Sequence, residues 1–104
     1  MDIKELQKKM MANAKRYGEE FNVPINEEFV VVKIMEEVGE FAEAILRYRK
    51  HCRPHKYVSN EEARRMLGEE LADIVGIALV GAELFDIDLD LILQEKWVRR
   101  GEAL

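Results

Sequence analysis

A chain of 104 residues has the length of one domain, and on folding it buries only a thin core. Its 21 acidic against 16 basic side chains leave a formal charge of −5, which argues against nucleic acid as a partner. With 48% hydrophobic residues it is globular rather than disordered, and the single Cys52 excludes an internal disulfide. No basic and apolar leader opens the chain. The longest apolar run, Ile74 to Phe85 broken by Glu83, would be about 18 Å long as a helix, short of a bilayer. A soluble cytoplasmic protein with no membrane partner is expected.

Asp2 and Glu5 have the spacing of a capping box, so a first helix is expected from Ile3. Ile3, Leu6, Met10, Ala14, Tyr17 and Phe21 recur at three and four and give it one apolar face. Gly18 and the turn from Asn22 to Pro24 should end it. Asn26 is a natural N-cap for a second helix, with Glu27 and Glu28 complementing its dipole. That helix should run to about Lys50, limited by Pro54. Its apolar stripe is Val30, Ile34, Val38, Phe41 and Ile45. Beside the stripe, Glu36, Glu37 and Glu40 fall within an arc of roughly 100°, with Lys33 in its middle. Like charges one turn apart repel, and a divalent cation is the natural compensation. Lys33 has a plainer use too, pairing with Glu36 or Glu37 along its own helix.

Residues His51 to Val58 have no periodicity and read as a loop, and its His51, Cys52 and His55 lack a fourth ligand and any zinc spacing. Ser59 and Glu62 form a second capping box, starting a third helix that continues to about Phe85. Leu67, Leu71, Ile74 and Ala78 set its apolar face, bordered by Glu70 and Asp73 with Glu69 on the flank. Beyond Ile74 the helix is apolar on nearly every side, so it needs more than one partner. A homodimer or dimer of dimers is expected, with Ile77, Val80, Leu84 or Phe85 near the interface. Gly39, Gly68, Gly76 and Gly81 each cost up to about 1 kcal/mol against Ala inside a helix. They imply close helix crossings or, for Gly39 and Gly68 beside the acidic motifs, access for a phosphate. Asp88 can cap a short fourth helix through about Arg100, on which Trp97 is expected to pack. The expected fold is all-α and four-helix-bundle-like, one domain over residues 1–104, with two long central helices carrying the acidic motifs.

Two antiparallel helices of a hairpin would point Glu37 and Glu40 at Glu70 and Asp73. Four oxygen donors with no His among them suit Mg²⁺ or Mn²⁺ rather than zinc. They also lack the Glu-x-x-His motifs of a di-iron bundle.

Glu36, Glu37 and Glu40 within KIMEEVGEFAEA (33–44), followed by Glu70 and Asp73 within GEELADIV (68–75), resemble the signature of the MazG-type, all-α nucleoside triphosphate pyrophosphohydrolases. The likeness extends to KWVRR (96–100) and covers roughly Asn26 to Arg100. It implies Mg²⁺, with Mn²⁺ as a substitute, held by Glu37, Glu40, Glu70 and Asp73. It implies Glu36 as a further ligand or the group that orients water, so Glu36, Glu37 and Lys33 become the catalytic candidates. Lys33, Lys96 and either Arg99 or Arg100 would meet the phosphates. The implied reaction takes an NTP or dNTP and water to the monophosphate and pyrophosphate, by attack at the α-phosphorus, clearing non-standard or surplus nucleotides. Phosphoribosyl-ATP pyrophosphatase, which shares the fold and metal chemistry, is an alternative. From another class, a non-catalytic helical oligomer acting as an interaction module would use its acidic clusters only for solubility. No motif reads a base edge, so base and sugar preference are not legible.

Overall fold

Each helix begins at a side-chain cap that the sequence advertises. The computed structural model describes residues 1–99, and no strand occurs among them. Helix α1 is Ile3–Phe21, and the Asp2 carboxylate accepts the Glu5 N–H at 2.8 Å. Helix α2 is Glu27–Tyr48, capped by Asn26, whose side chain accepts the Phe29 N–H at 3.0 Å. Helix α3 is Asn60–Leu84, and the Ser59 hydroxyl accepts the Glu62 N–H at 3.1 Å. Helix α4 is Leu89–Leu93, where Asp88 accepts the Leu91 N–H at 3.2 Å. Each cap satisfies one of the N–H groups that a helix start leaves orphaned.

Gly18 does not end α1. The helix continues to Phe21 and stops at Asn22, which takes the left-handed conformation (φ 54°) that Asn tolerates better than most residues. A Cβ on Gly18 would stand 2.6 Å from the Val23 carbonyl oxygen and 2.8 Å from Ile25 Cγ1. Glycine is needed there because the returning chain lies directly against the helix.

The loop after α2 holds more structure than its composition suggests. Pro54–Lys56 forms a single 3-10 turn. The Tyr57 hydroxyl donates to the Lys50 carbonyl at 3.3 Å, and the Lys50 ammonium sits 5.5 Å from the Tyr57 ring centre. At the other end, α4 gives way at Gln94 to a π-helical stretch, Gln94–Arg99, rather than running on as a regular helix. Residues 91–99 are exposed throughout, so no neighbouring element holds them to α spacing.

Helices α2 and α3 form an antiparallel hairpin, and α1 lies against α3. The core is Met11, Ala14, Val30 and Val80, with Met10, Ile25, Phe29, Ile34, Ile77 and Leu84 packed against it. Val80 is 3% exposed in this core and Ile77 and Leu84 are partly buried against it, whereas Phe85 is 52% exposed. Gly81 marks a close crossing, since a Cβ would lie 3.1 Å from Val30 Cγ1, whereas Gly39 and Gly68 face open space. Gln7 is buried on α1, and its amide nitrogen donates to Glu83 Oε2 (2.9 Å) and to the Ile87 carbonyl (2.8 Å). That pair of bonds fastens α1 to the end of α3 and the turn beyond it.

Val38 and Leu71, expected in the core, are each 49% exposed. The buried face of α2 is centred on Val30, Phe41 and Ala44, which turns Val38 outward beside Val31 and Met35. The radius of gyration is 16.4 Å, against about 13 Å for a compact domain of this length. The molecule is a slab of 47 × 45 × 24 Å, about two helix diameters thick.

Candidate metal centre

The two half-motifs meet. Glu37 and Glu40 on α2 face Glu70 and Asp73 on α3, and one carboxylate oxygen from each lies within 4.8 Å of the others. Glu37 and Glu70 are half-buried, while Glu40 and Asp73 open to solvent. Glu37 Oε2 and Glu70 Oε2 are shut off from solvent and have no hydrogen-bond partner. Burial, reinforced by the charges of Glu40, Asp73 and Glu70, pushes the Glu37 carboxyl from 4.5 up to about 7. Glu70 is raised as well, by burial first and then by Glu40 and Asp73.

Buried carboxylate oxygens without donors are costly unless something positive meets them. The donor set fits such a group: four carboxylates, two per helix, with oxygens turned inward and no nitrogen or sulfur among them. Hard divalent cations take that set. Among the described residues this is the one cluster of acidic, His or Cys side chains so arranged.

Glu36 is not part of it. Its carboxylate holds the Lys33 ammonium at 3.4 Å along α2, so the arc of three acidic residues splits, with Glu37 and Glu40 turned toward α3. Glu69 is likewise occupied, in an exposed pair with Arg65 at 3.1 Å. Lys33 Nζ also lies 5.7 Å from the centre of the Tyr17 ring.

A cleft of about 430 Å³ adjoins the carboxylates between α1, α2 and α3, and Lys33, Glu37 and Asp73 line it. The rest of its wall comes from Met10, Asn13, Ala14 and Tyr17 of α1, Phe29 of α2, and the stretch from Ala72 to Val80 of α3. A second cleft of about 410 Å³ is lined by Lys33, Glu36 and the chain around Pro24. Lys96 and Arg99 line neither cleft and stand exposed on the π-helical stretch. Arg100 lies outside the described residues. Trp97, expected to pack, is 71% exposed. The first helix was expected to wall a pocket, but its individual cleft residues were not singled out in the sequence. Its signal was Asn13, a polar residue flanked at helical spacing by Met10, Ala14 and Tyr17.

A family model described as "MazG nucleotide pyrophosphohydrolase domain" matches residues 26–102. The chain belongs to this family. No curated protein and no solved structure gives a significant match to it. The MazG match takes in all four carboxylates and Lys33, Lys96, Arg99 and Arg100, but it begins after α1. No helix among the described residues is long and apolar enough to cross a membrane.

Proposed function

We propose that this MazG-family chain is a Mg²⁺-dependent pyrophosphohydrolase that cleaves an NTP or dNTP to its monophosphate and pyrophosphate. Glu37, Glu40, Glu70 and Asp73 hold the cation, with Mn²⁺ as a substitute. The observation that carries this reading is the convergence of four carboxylates within 4.8 Å, two of them with buried, unpartnered oxygens. Bound there, a divalent cation supplies counter-charge for the phosphates and makes a water more acidic.

The chain's own side chains do the rest. Lys33 exchanges Glu36 for a phosphate oxygen, because an exposed ion pair is worth only about 0–1 kcal/mol. Glu36, released from that pair, orients the attacking water and takes its proton. The water oxygen bonds to the α-phosphorus, the bridging bond to the β-phosphate breaks, and pyrophosphate leaves. The biological task consistent with this is removal of non-standard or surplus nucleotides.

A second copy of the chain completes the fold as a homodimer or dimer of dimers. Val31, Met35 and Val38 on α2, with Leu71 and Val75 on α3, form exposed apolar stripes on flanks of these helices away from the carboxylates. The large radius of gyration supports the same reading. The charge of −5 supports action on free nucleotides rather than on nucleic acid.

The test is a panel of NTPs and dNTPs assayed for pyrophosphate with millimolar Mg²⁺ in ¹⁸O-labelled water. Label should enter the monophosphate. Orthophosphate as the direct product would overturn the reaction. No turnover of any nucleotide, and no thermal shift with Mg²⁺ or Mn²⁺, would favour the interaction module.

A further inference from the structure

We infer that the cleft between α1, α2 and α3 receives the nucleoside half of the substrate, where Tyr17 stacks on the base and Asn13 decides which base is accepted. This rests on the pyrophosphohydrolase reading, but on a helix that the family match does not cover. Position is the first argument. Glu37 and Asp73 belong to the carboxylate cluster and also line the cleft, so a triphosphate held at the cluster extends its sugar and base into it. The second cleft contains no member of the cluster.

Size and chemistry agree with position. About 430 Å³ lies within the range of small-molecule sites, roughly 300–1,000 Å³. Small residues make the room. Gly76 is the clearest, because a Cβ there would come no closer than 3.9 Å to Met10 Sδ. Helix packing therefore does not require glycine at this position, although glycine costs helix stability against alanine. Space in the cleft gives that cost a use.

Two side chains supply recognition. Tyr17 and Phe29 form a tilted aromatic pair with centres 6.2 Å apart, and the Tyr17 ring offers a planar surface. Lys33 now sits over that ring at 5.7 Å, and a phosphate that draws Lys33 away uncovers the ring for a base to stack on. Asn13 is the one amide in the wall. Its carbonyl accepts only an exposed 3.4 Å bond from Arg16, which is easily given up. An amide presents a donor and an acceptor side by side, as a base edge does.

The experiment measures binding as well as turnover, with α,β-methylene analogues of the four dNTPs and with inorganic tripolyphosphate, all with Mg²⁺. Asn13→Ala should change the relative affinities of the four analogues by about tenfold. Tyr17→Ala should weaken all four by about tenfold, with Tyr17→Phe restoring them. Gly76→Ala should raise the melting temperature yet weaken analogue binding, a combination that a purely structural glycine would not produce. Tripolyphosphate affinity and the Mn²⁺ thermal shift should stay at wild-type values in all of them. Unchanged affinities and base ranking in Asn13→Ala and Tyr17→Ala would overturn the inference, as would equal loss of tripolyphosphate binding. A wild-type protein that releases no pyrophosphate from any nucleotide would fail the function reading instead, whatever the variants do.

Discussion

The α2–α3 hairpin and the segment from Leu89 to Arg99 both carry charged side chains expected at one site, yet their surroundings have little in common. In the hairpin, four carboxylates are brought together by two packed helices, and two of their oxygens are closed off from water. In the C-terminal segment, Lys96 and Arg99 stand exposed beside a Trp97 that is itself 71% exposed. A charge pattern places residues on a face of a helix. Whether that face meets another element is settled by packing, and α2 and α3, joined through Arg49 to Ser59, pack against each other along the hairpin. Nothing comparable directs the chain beyond Asp88.

That contrast is open to direct attack at its stronger end. Glu40→Gln or Asp73→Asn should lower pyrophosphate release by about 100-fold or more, because the transition state loses its main counter-charge. Metal-free stability should hold or rise, since each change relieves repulsion in the cluster. Full activity in both variants would leave the hairpin's carboxylates with no better claim to chemistry than the exposed segment.

The pH dependence sharpens the same point. Glu37 titrates near 7 in the folded chain and near 4.5 when unfolded, so between those values the native state binds the extra proton. The metal-free protein should therefore be most stable below about pH 4.5, as far as this group decides, and should lose that contribution as pH rises through about 7. Added Mg²⁺ requires the ionised form, so its stabilising effect should grow over the same window. Melting curves from pH 5 to 8, with chelator and with Mg²⁺, measure both slopes. A metal-free stability that rises across this window would argue against the raised carboxyl.

Much of this was readable in the sequence, for a physical reason. The four caps are local, made by residues three apart, and Asp2, Asn26, Ser59 and Asp88 all cap as expected. The carboxylate pairing needs only two helical periods and one hairpin. What failed was long-range. Val80 lies in the core because neighbouring helices pack over it, and nothing in its own helix says so. Val38 and Leu71 were placed in the core because periodicity identifies an apolar stripe but not the element that buries it. Gln7 looks like an ordinary helix-surface residue, and its burial depends on Glu83 and Ile87, far along the chain. The nucleoside-sized cleft needs three helices at once, so Asn13 gave only a faint sign.

Lys33 stands between the two regions, positive like the C-terminal segment but lining both clefts. Lys33→Ala should reduce kcat/KM by about tenfold, through the lost charge-assisted bond to phosphate. Its pair with Glu36 is partly exposed, so the melting temperature should hardly move. A clear loss of stability with unchanged turnover would assign Lys33 to α2 rather than to the substrate.

The smallest effect is expected where the contrast predicts none. Lys96 and Arg99 are exposed and line neither cleft, so within one subunit their charges reach a bound triphosphate only through solvent. At physiological salt that influence is screened over about 8 Å. Lys96→Ala and Arg99→Ala should each change kcat/KM by about threefold or less, and the change should fade as ionic strength rises. The salt series makes the measurement decisive. A direct contact desolvates the charge and resists screening, so a tenfold loss that persists in high salt would place these side chains on the phosphates after all. The exposed apolar side chains around them, Leu91, Ile92, Trp97 and Val98, would then be packed in the working assembly, where a second copy covers the segment. Light scattering on the same variants separates the outcomes: loss of activity together with loss of the oligomer points to assembly, and loss of activity alone points to phosphate contact.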